Sequence, residues 1–234
     1  MGQPSAMMTA GHIFRKTTGT SLNDKTLTTK LVEKPPDARQ VQMTNSEKFE
    51  RDLNQDPHLG TTYDKIINYA QEKPTRWVLV DTNKQHLFLV REGVVLARWP
   101  VSTALVGLDN RENSGGTPTG VHRVSRKIGA GFPLGTVFLS RQPTGETWSQ
   151  EWNNDELLLQ RDLILSRILV LDGLEPGVNL GPGVDSRERY IYVHGTNRED
   201  LIGQPVSHGC VRMNNQAIIE LFELIKEGDP LVIV

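Results

Sequence analysis

Hydrophobic and polar positions divide the chain into zones of different rhythm. From Trp77 onward, short apolar runs recur: Trp77-Val78-Leu79-Val80, His86-Leu87-Phe88-Leu89-Val90 and Val94-Val95-Leu96-Ala97-Arg98-Trp99. They are separated by the polar Asp81-Thr82-Asn83-Lys84 and Arg91-Glu92-Gly93. Runs of this length between turn-forming residues predict antiparallel hairpins. The glycine-containing segment from Gly107 to Gly120 predicts a loop, followed by a strand at Val121-His122-Arg123-Val124. His86 and His122 therefore take structural readings inside strands. Ser140 to Asp155, rich in Thr, Gln, Asn and Trp, predicts an excursion over a cleft, with Trp148 and Trp152 as lid residues or a packing pair. Leu157 to Leu171 is strongly apolar, and its Ile168-Leu169-Val170-Leu171 portion favours strand. Gly173 to Gly183 predicts another loop, ahead of a strand Tyr190-Ile191-Tyr192-Val193 that delivers His194 at its end.

Past Asn214, which has the side chain of a helix N-cap, Ile218, Leu221, Phe222 and Ile225 share one helical face. Gly228 is expected to close that helix, and Leu231-Val232-Ile233-Val234 predicts a last strand. Upstream, residues 1–45 are polar, contain Pro35-Pro36 and show no sustained apolar period, so a flexible segment is expected. Residues 46–74 carry spaced apolar positions (Phe49, Leu53, Tyr63, Ile66, Ile67, Tyr69) and predict helices broken near Pro57 and Gly60. The expected organisation is a partly helical N-terminal extension before a mainly β domain over 75–234, a sandwich or partly closed barrel with one C-terminal helix.

A chain of 234 residues can bury a sizeable core. Its 26 basic and 28 acidic residues leave a net charge of -2, without the basic excess of a nucleic-acid binder. No apolar run approaches the roughly 18 residues of a membrane span, so no membrane insertion is expected. Met1 to Gln40 also lacks the consecutive apolar stretch of a secretory signal, which sets the expectation of a cytoplasmic protein, with the periplasm as the alternative.

Candidate chemistry gathers around the single cysteine. His194-Gly195-Thr196-Asn197 and Ser207-His208-Gly209-Cys210-Val211-Arg212-Met213 hold that thiol and two of the six histidines. A thiol of pKa about 8.5 is only partly ionised at neutral pH and needs a base or cation beside it to act as a nucleophile. His194 and His208 are the candidates for that base. Gly195 and Gly209 lack side chains, so backbone N–H groups near Cys210 can approach a substrate and stabilise an oxyanion. A buried, inert cysteine is the ordinary alternative, but the polar, glycine-containing surroundings of Cys210 favour a turn over a core element. Structural zinc usually recruits four ligands and often pairs cysteines, which a single cysteine does not supply.

These two segments, with Gly203 between them, resemble the signature of the L,D-transpeptidases, the YkuD-type peptidoglycan enzymes. The resemblance runs from about Arg76 to Val234, with Val78-Leu79-Val80-Asp81 at its start and Thr117-Pro118-Thr119-Gly120 in its middle. It implies that Cys210 is the nucleophile and His194 its base, with the His194 ring oriented by a backbone carbonyl near Gly195. Ser207, His208 and Gly209 would shape the pocket, and the Gly209 and Cys210 amides would hold the oxyanion. Arg212 would fix the motif loop or a substrate carboxylate, or form a structural salt bridge. The implied substrate is a peptidoglycan tetrapeptide stem or muropeptide, cleaved before its terminal D-alanine through a thioester, with no metal or organic cofactor.

The acceptor decides the activity: water gives an L,D-carboxypeptidase of wall recycling, another stem gives 3-3 crosslinks, and a D-amino acid gives exchange. The expected cytoplasmic location favours water. Two rivals come from other classes, a non-catalytic muropeptide-binding protein and a metal-dependent hydrolase using His194, His208 and Cys210 as ligands.

Overall fold

The computed structural model describes residues 57–69, 73–149 and 162–234. The expectations for residues 1–45, for Phe49 and Leu53 of the helical extension, and for Trp152 lie outside them. Among the described residues, ten strands follow a helix, α1 (Pro57–Tyr69): β1 (Arg76–Asp81), β2 (His86–Arg91), β3 (Val94–Ser102), β4 (Gly120–Ile128), β5 (Thr136–Leu139), β6 (Gln142–Thr147), β7 (Ile164–Gly173), β8 (Tyr192–Gly195), β9 (Val211–Met213) and β10 (Pro230–Ile233). A second helix, α2 (Asn215–Leu224), lies between β9 and β10.

The strands form one sheet in the order β4-β10-β1-β2-β3-β9-β8-β7-β5-β6, and β4 also pairs with β7. That extra pairing closes eight strands into a barrel and leaves the β5–β6 hairpin outside it. Two ladders are parallel, β1 with β10 and β8 with β9; the others are antiparallel. Closure settles the choice between sandwich and barrel, and the C-terminal helix stands where the apolar period puts it.

Alternation explains how one strand serves two cores. Val78 and Val80 of β1 join the largest apolar cluster, which holds Leu87, Leu89, Val193, Val211, Met213 and the inner face of α2. Trp77 and Leu79 point the other way, to a cluster with Val90, Val95, Val121, Val232 and Ile66 of α1. Side chains on successive strand residues face opposite sides, so a strand covered on both faces must be apolar throughout. Ile66 is fully buried, a contact worth about 1.5–3 kcal/mol that fixes α1 on the barrel.

Several boundaries differ from the sequence expectation. Gly60 does not interrupt α1, which begins at Pro57; proline in a first helical turn gives up only an N–H that has no intrahelical partner. Within the expected excursion, Gln142–Thr147 is a strand. Its hairpin turns through Ser140 and Arg141, both at positive φ (49° and 66°), in the sense that suits two-residue hairpins. Ser-Arg is not the Asn-Gly type of signal that announces such a turn. Asn214 does cap α2, its side chain accepting from the Gln216 N–H at 2.9 Å. Gly228 does not close the helix. The helix ends at Leu224, where Lys127 Nζ of β4 donates to the carbonyls of Phe222 and, at 2.7 Å, Ile225.

His122 is buried, with Nδ1 3.0 Å from Gly120 O and Nε2 2.9 Å from Ser186 Oγ. Burial lowers its pKa from 6.5 to about 4. The neutral ring is therefore the folded form, while an unfolded chain takes up the proton near 6.5. Stability from this group is present above pH 6.5 and is lost as the pH falls towards 4, by about 3 kcal/mol in all. Urea titrations between pH 7 and 4 are expected to show that loss, and His122→Gln, less stable at pH 7, is expected to show a shallower acid slope.

Candidate active site

The parallel pairing of β8 with β9 sets the geometry. Val193 lies beside Val211 and His194 beside Arg212. Val193 and Val211 face the barrel core, so His194 and Arg212 face the other side by alternation. Cys210 immediately precedes β9 and shares that side, where it packs with Phe138, Ile168, Val170 and Tyr192. Strand spacing and rise place a diagonal pair such as His194 and Cys210 about 8 Å apart at the backbone, within joint reach of an imidazole and a thiol. His194 belongs to the strand Tyr192–Gly195 itself. Tyr190 instead occupies a left-handed turn, at φ 57°, which shortens the strand expected there.

The thiol of Cys210 is half-buried. Its Sγ receives the Tyr192 N–H at 3.4 Å and lies 3.4 Å from Tyr190 O, to which the S–H donates. The strained turn at Tyr190 thus presents a carbonyl to the thiol. Apolar surroundings push the thiol pKa up to about 12, outweighing the Tyr192 N–H and the cations of Arg212 and Arg189, which favour thiolate. His194 is almost wholly buried, and burial lowers its pKa. Its Nδ1 is 2.8 Å from Gly195 O. A carbonyl only accepts, so Nδ1 carries the proton and Nε2 the lone pair. The resting pair is a neutral thiol and a neutral imidazole.

The other sequence candidates occupy different places. Ser207 is buried and braces the loop: its hydroxyl donates to Cys210 O at 2.6 Å and accepts the Gly209 N–H at 3.3 Å. The Gly209 N–H, expected to face an oxyanion, is therefore turned inward in this state. Gly209 has φ 125°, and a Cβ there would lie 3.2 Å from Gly116 O, so the position requires glycine. Gly195 requires it for another reason: a Cβ would meet Asn215 Oδ1 at 2.4 Å and Leu165 O at 2.7 Å.

His208 is largely exposed at the rim, its Nδ1 3.4 Å from Asp162 Oδ2 and 3.4 Å from Arg212 Nη2. Arg212 is buried and ion-paired to Asp162 through Nη2, while its Nε has no partner. Among the described residues, no three His, Cys, Asp or Glu side chains group as metal donors.

Sequence reasoning missed the residues that hold this arrangement in place. Asn215 donates through Nδ2 to Thr196 O at 2.8 Å and to Glu199 Oε1 at 2.7 Å, and accepts from Ser166 Oγ at 2.7 Å. Ser166 sits at φ 66° where the β7–β8 register slips, and its hydroxyl also accepts the Gly135 N–H at 2.9 Å. Arg189 was missed as well. It belongs to the charged run Asp185-Ser186-Arg187-Glu188-Arg189, where nothing in the sequence separates it from Arg187.

Residues 75–233 match the L,D-transpeptidase catalytic domain family, YkuD. The chain belongs to that family. Among Bacillus subtilis proteins carrying the L,D-transpeptidase name, YqjB is 46% identical over 52 residues, 22% of this chain and 28% of YqjB. YkuD is 44% identical over 41 residues, 18% of this chain and 25% of YkuD. The matched stretches thus span about a quarter of each relative's length. A solved L,D-transpeptidase from Mycobacterium smegmatis aligns at 16% identity and TM-score 0.40, over 68% of this chain and 58% of that one. One from Xylanimonas cellulosilytica aligns at 18% and 0.39, over 71% and 63%.

A thiol held protonated has a testable consequence. The rate of Cys210 labelling by iodoacetamide is expected to rise about tenfold per pH unit from pH 7 to 9.5 without levelling. A plateau below pH 9 is the result that contradicts a neutral resting pair.

Proposed function

We propose that the protein is a cysteine acyltransferase that removes the terminal D-alanine from peptidoglycan tetrapeptides, with water as the final acceptor. The observation that carries the acyl-transfer reading is the shared sheet face of Cys210 and His194, with the imidazole held by Gly195 O so that its free lone pair is on Nε2. In this reading Sγ attacks the carbonyl of the L-centre while Nε2 takes the thiol proton, so that thiolate forms only as the C–S bond does. The oxyanion takes hydrogen bonds from the Cys210 amide and from the Gly209 amide once that N–H leaves Ser207 Oγ. Collapse breaks the C–N bond, His194 returns the proton to the leaving amine, and a thioester remains. Water then attacks with His194 again as base, releasing the tripeptide acid and restoring the thiol.

Water as the acceptor and a cytoplasmic setting belong to this proposal. Tetrapeptide in that setting would be a soluble fragment, without the dense amine acceptors of an assembled wall. Arg212, paired to Asp162 beside His194, serves to position the strand.

Incubating the purified protein with a tetrapeptide muropeptide and weighing the products by mass spectrometry is expected to yield tripeptide and free D-alanine. Cys210→Ala and Cys210→Ser are expected to abolish turnover while leaving the circular dichroism spectrum intact. Mainly crosslinked dimer, from protein found in the periplasm on fractionation, would return the reading to the transpeptidase.

The two histidines are expected to separate in burst kinetics. His194→Ala loses about 10²–10⁴-fold in acylation, the usual contribution of a positioned base, whereas His208→Ala, at the exposed rim, stays within about tenfold. Equal losses, or the reverse order, contradict this division.

A further inference from the structure

Arg189 presents a cation to the thiol side of the site; Asp109 and Glu112 lie near enough to act on its charge, but neither pairs with it directly. Its backbone N–H closes a turn onto Asp185 O at 2.9 Å, and the next residue is the strained Tyr190 whose carbonyl faces Sγ. One guanidinium nitrogen, Nη2, donates to Gly116 O at 2.7 Å and reaches Ser114 Oγ at 3.4 Å. That same carbonyl lies 3.2 Å from where a Cβ on Gly209 would stand. The guanidinium and the residue preceding the nucleophile therefore flank a single oxygen.

The second nitrogen, Nη1, is shielded from solvent and has no hydrogen-bond partner. A buried donor on a charged group left without an acceptor costs about 1–3 kcal/mol or more, so it implies a partner supplied by something else. Nearby acids do not fill that place. Asp109 is held by both Arg111 Nε, at 3.1 and 3.2 Å, and Arg111 Nη2, at 2.6 Å. Among the described residues, no carboxylate lies within ion-pair distance of Arg189. Arg212, which the sequence also offers for a substrate carboxylate, has its Nη2 on Asp162 and leaves its Nε without a partner.

A peptidase that removes one terminal residue needs a cation about one residue's length, roughly 3.5 Å, beyond the attacked carbonyl. The group it meets there is the terminal carboxylate. We infer that Arg189 is the specificity residue that binds the C-terminal carboxylate of the leaving D-amino acid, through the free Nη1. This rests on the acyl-transfer reading of Cys210. Release of the D-amino acid removes the anion and frees the site for water.

The test compares a tetrapeptide with its C-terminal carboxamide on the wild type, Arg189→Lys and Arg189→Gln. The wild type is expected to favour the acid by about 30–100-fold in kcat/KM, the size of a charged hydrogen-bond pair. Arg189→Gln is expected to lose about that factor on the acid, chiefly in KM, and to leave the amide within threefold; Arg189→Lys falls between. Equal losses on both substrates, or none on either, overturn the assignment. A second measurement needs neither a variant nor turnover. D-alanine, but not D-alaninamide, is expected to slow iodoacetamide labelling of Cys210 in the wild type, and equal protection or none also overturns it. If the wild type cleaves neither peptide, the acyl-transfer reading fails, and the protection experiment still decides whether Arg189 takes a carboxylate.

Discussion

The site depends on one short ladder, the three paired residues of β8 and β9. Their parallel register puts Arg212 beside His194 and the residue before β9 on the same face, so a slip of one position would send Cys210 into the barrel core. Three pairs are too few to hold such a register alone. Asn215 supplies the rest, tying the start of α2 to Thr196 just beyond β8, to Glu199, and to Ser166 in the slipped part of β7. The close approach of Asn215 is what excludes a side chain at Gly195. The polar network and the glycine are thus one device for fixing register.

The electrostatics follow from placing this device over an apolar wall. Phe138, Ile168, Val170 and Tyr192 surround the thiol, and desolvation favours the uncharged form of an acid and of a base alike. Cys210 is kept protonated and His194 deprotonated by the same burial. Asp162 and Arg212 act on both groups with opposite sign, which leaves burial as the deciding influence. With burial favouring the neutral thiol, Cys210 is shielded from oxidants that require a thiolate.

Much of this was legible in the sequence where a local rule governs it. The apolar alternation of β1 to β3, the cap at Asn214 and the helical face of Ile218, Leu221 and Phe222 follow from periods of two and 3.6. The motif around Cys210 was legible because cysteine, histidine and glycines fall close together. What escaped depends on tertiary contact. Ser140 and Arg141 turn a hairpin with side chains that do not advertise positive φ. Gly228 looked like a helix stop, but Lys127, nearly a hundred residues earlier, satisfies the carbonyls at that end. Ser166 and Arg189 acquire their roles from residues at least thirty positions away along the chain, which no window of sequence contains.

The place of β10 has a consequence for how the protein is made. This strand lies between β1 and β4, completing both ladders, although the ribosome produces it some hundred residues after β4. Until Pro230–Ile233 emerges, β1 and β4 keep open edges and the barrel cannot close. Long-range pairings of this kind slow folding and leave edges open to wrong partners. The nascent domain therefore closes its barrel only after synthesis of β10, which follows both His194 and Cys210 along the chain.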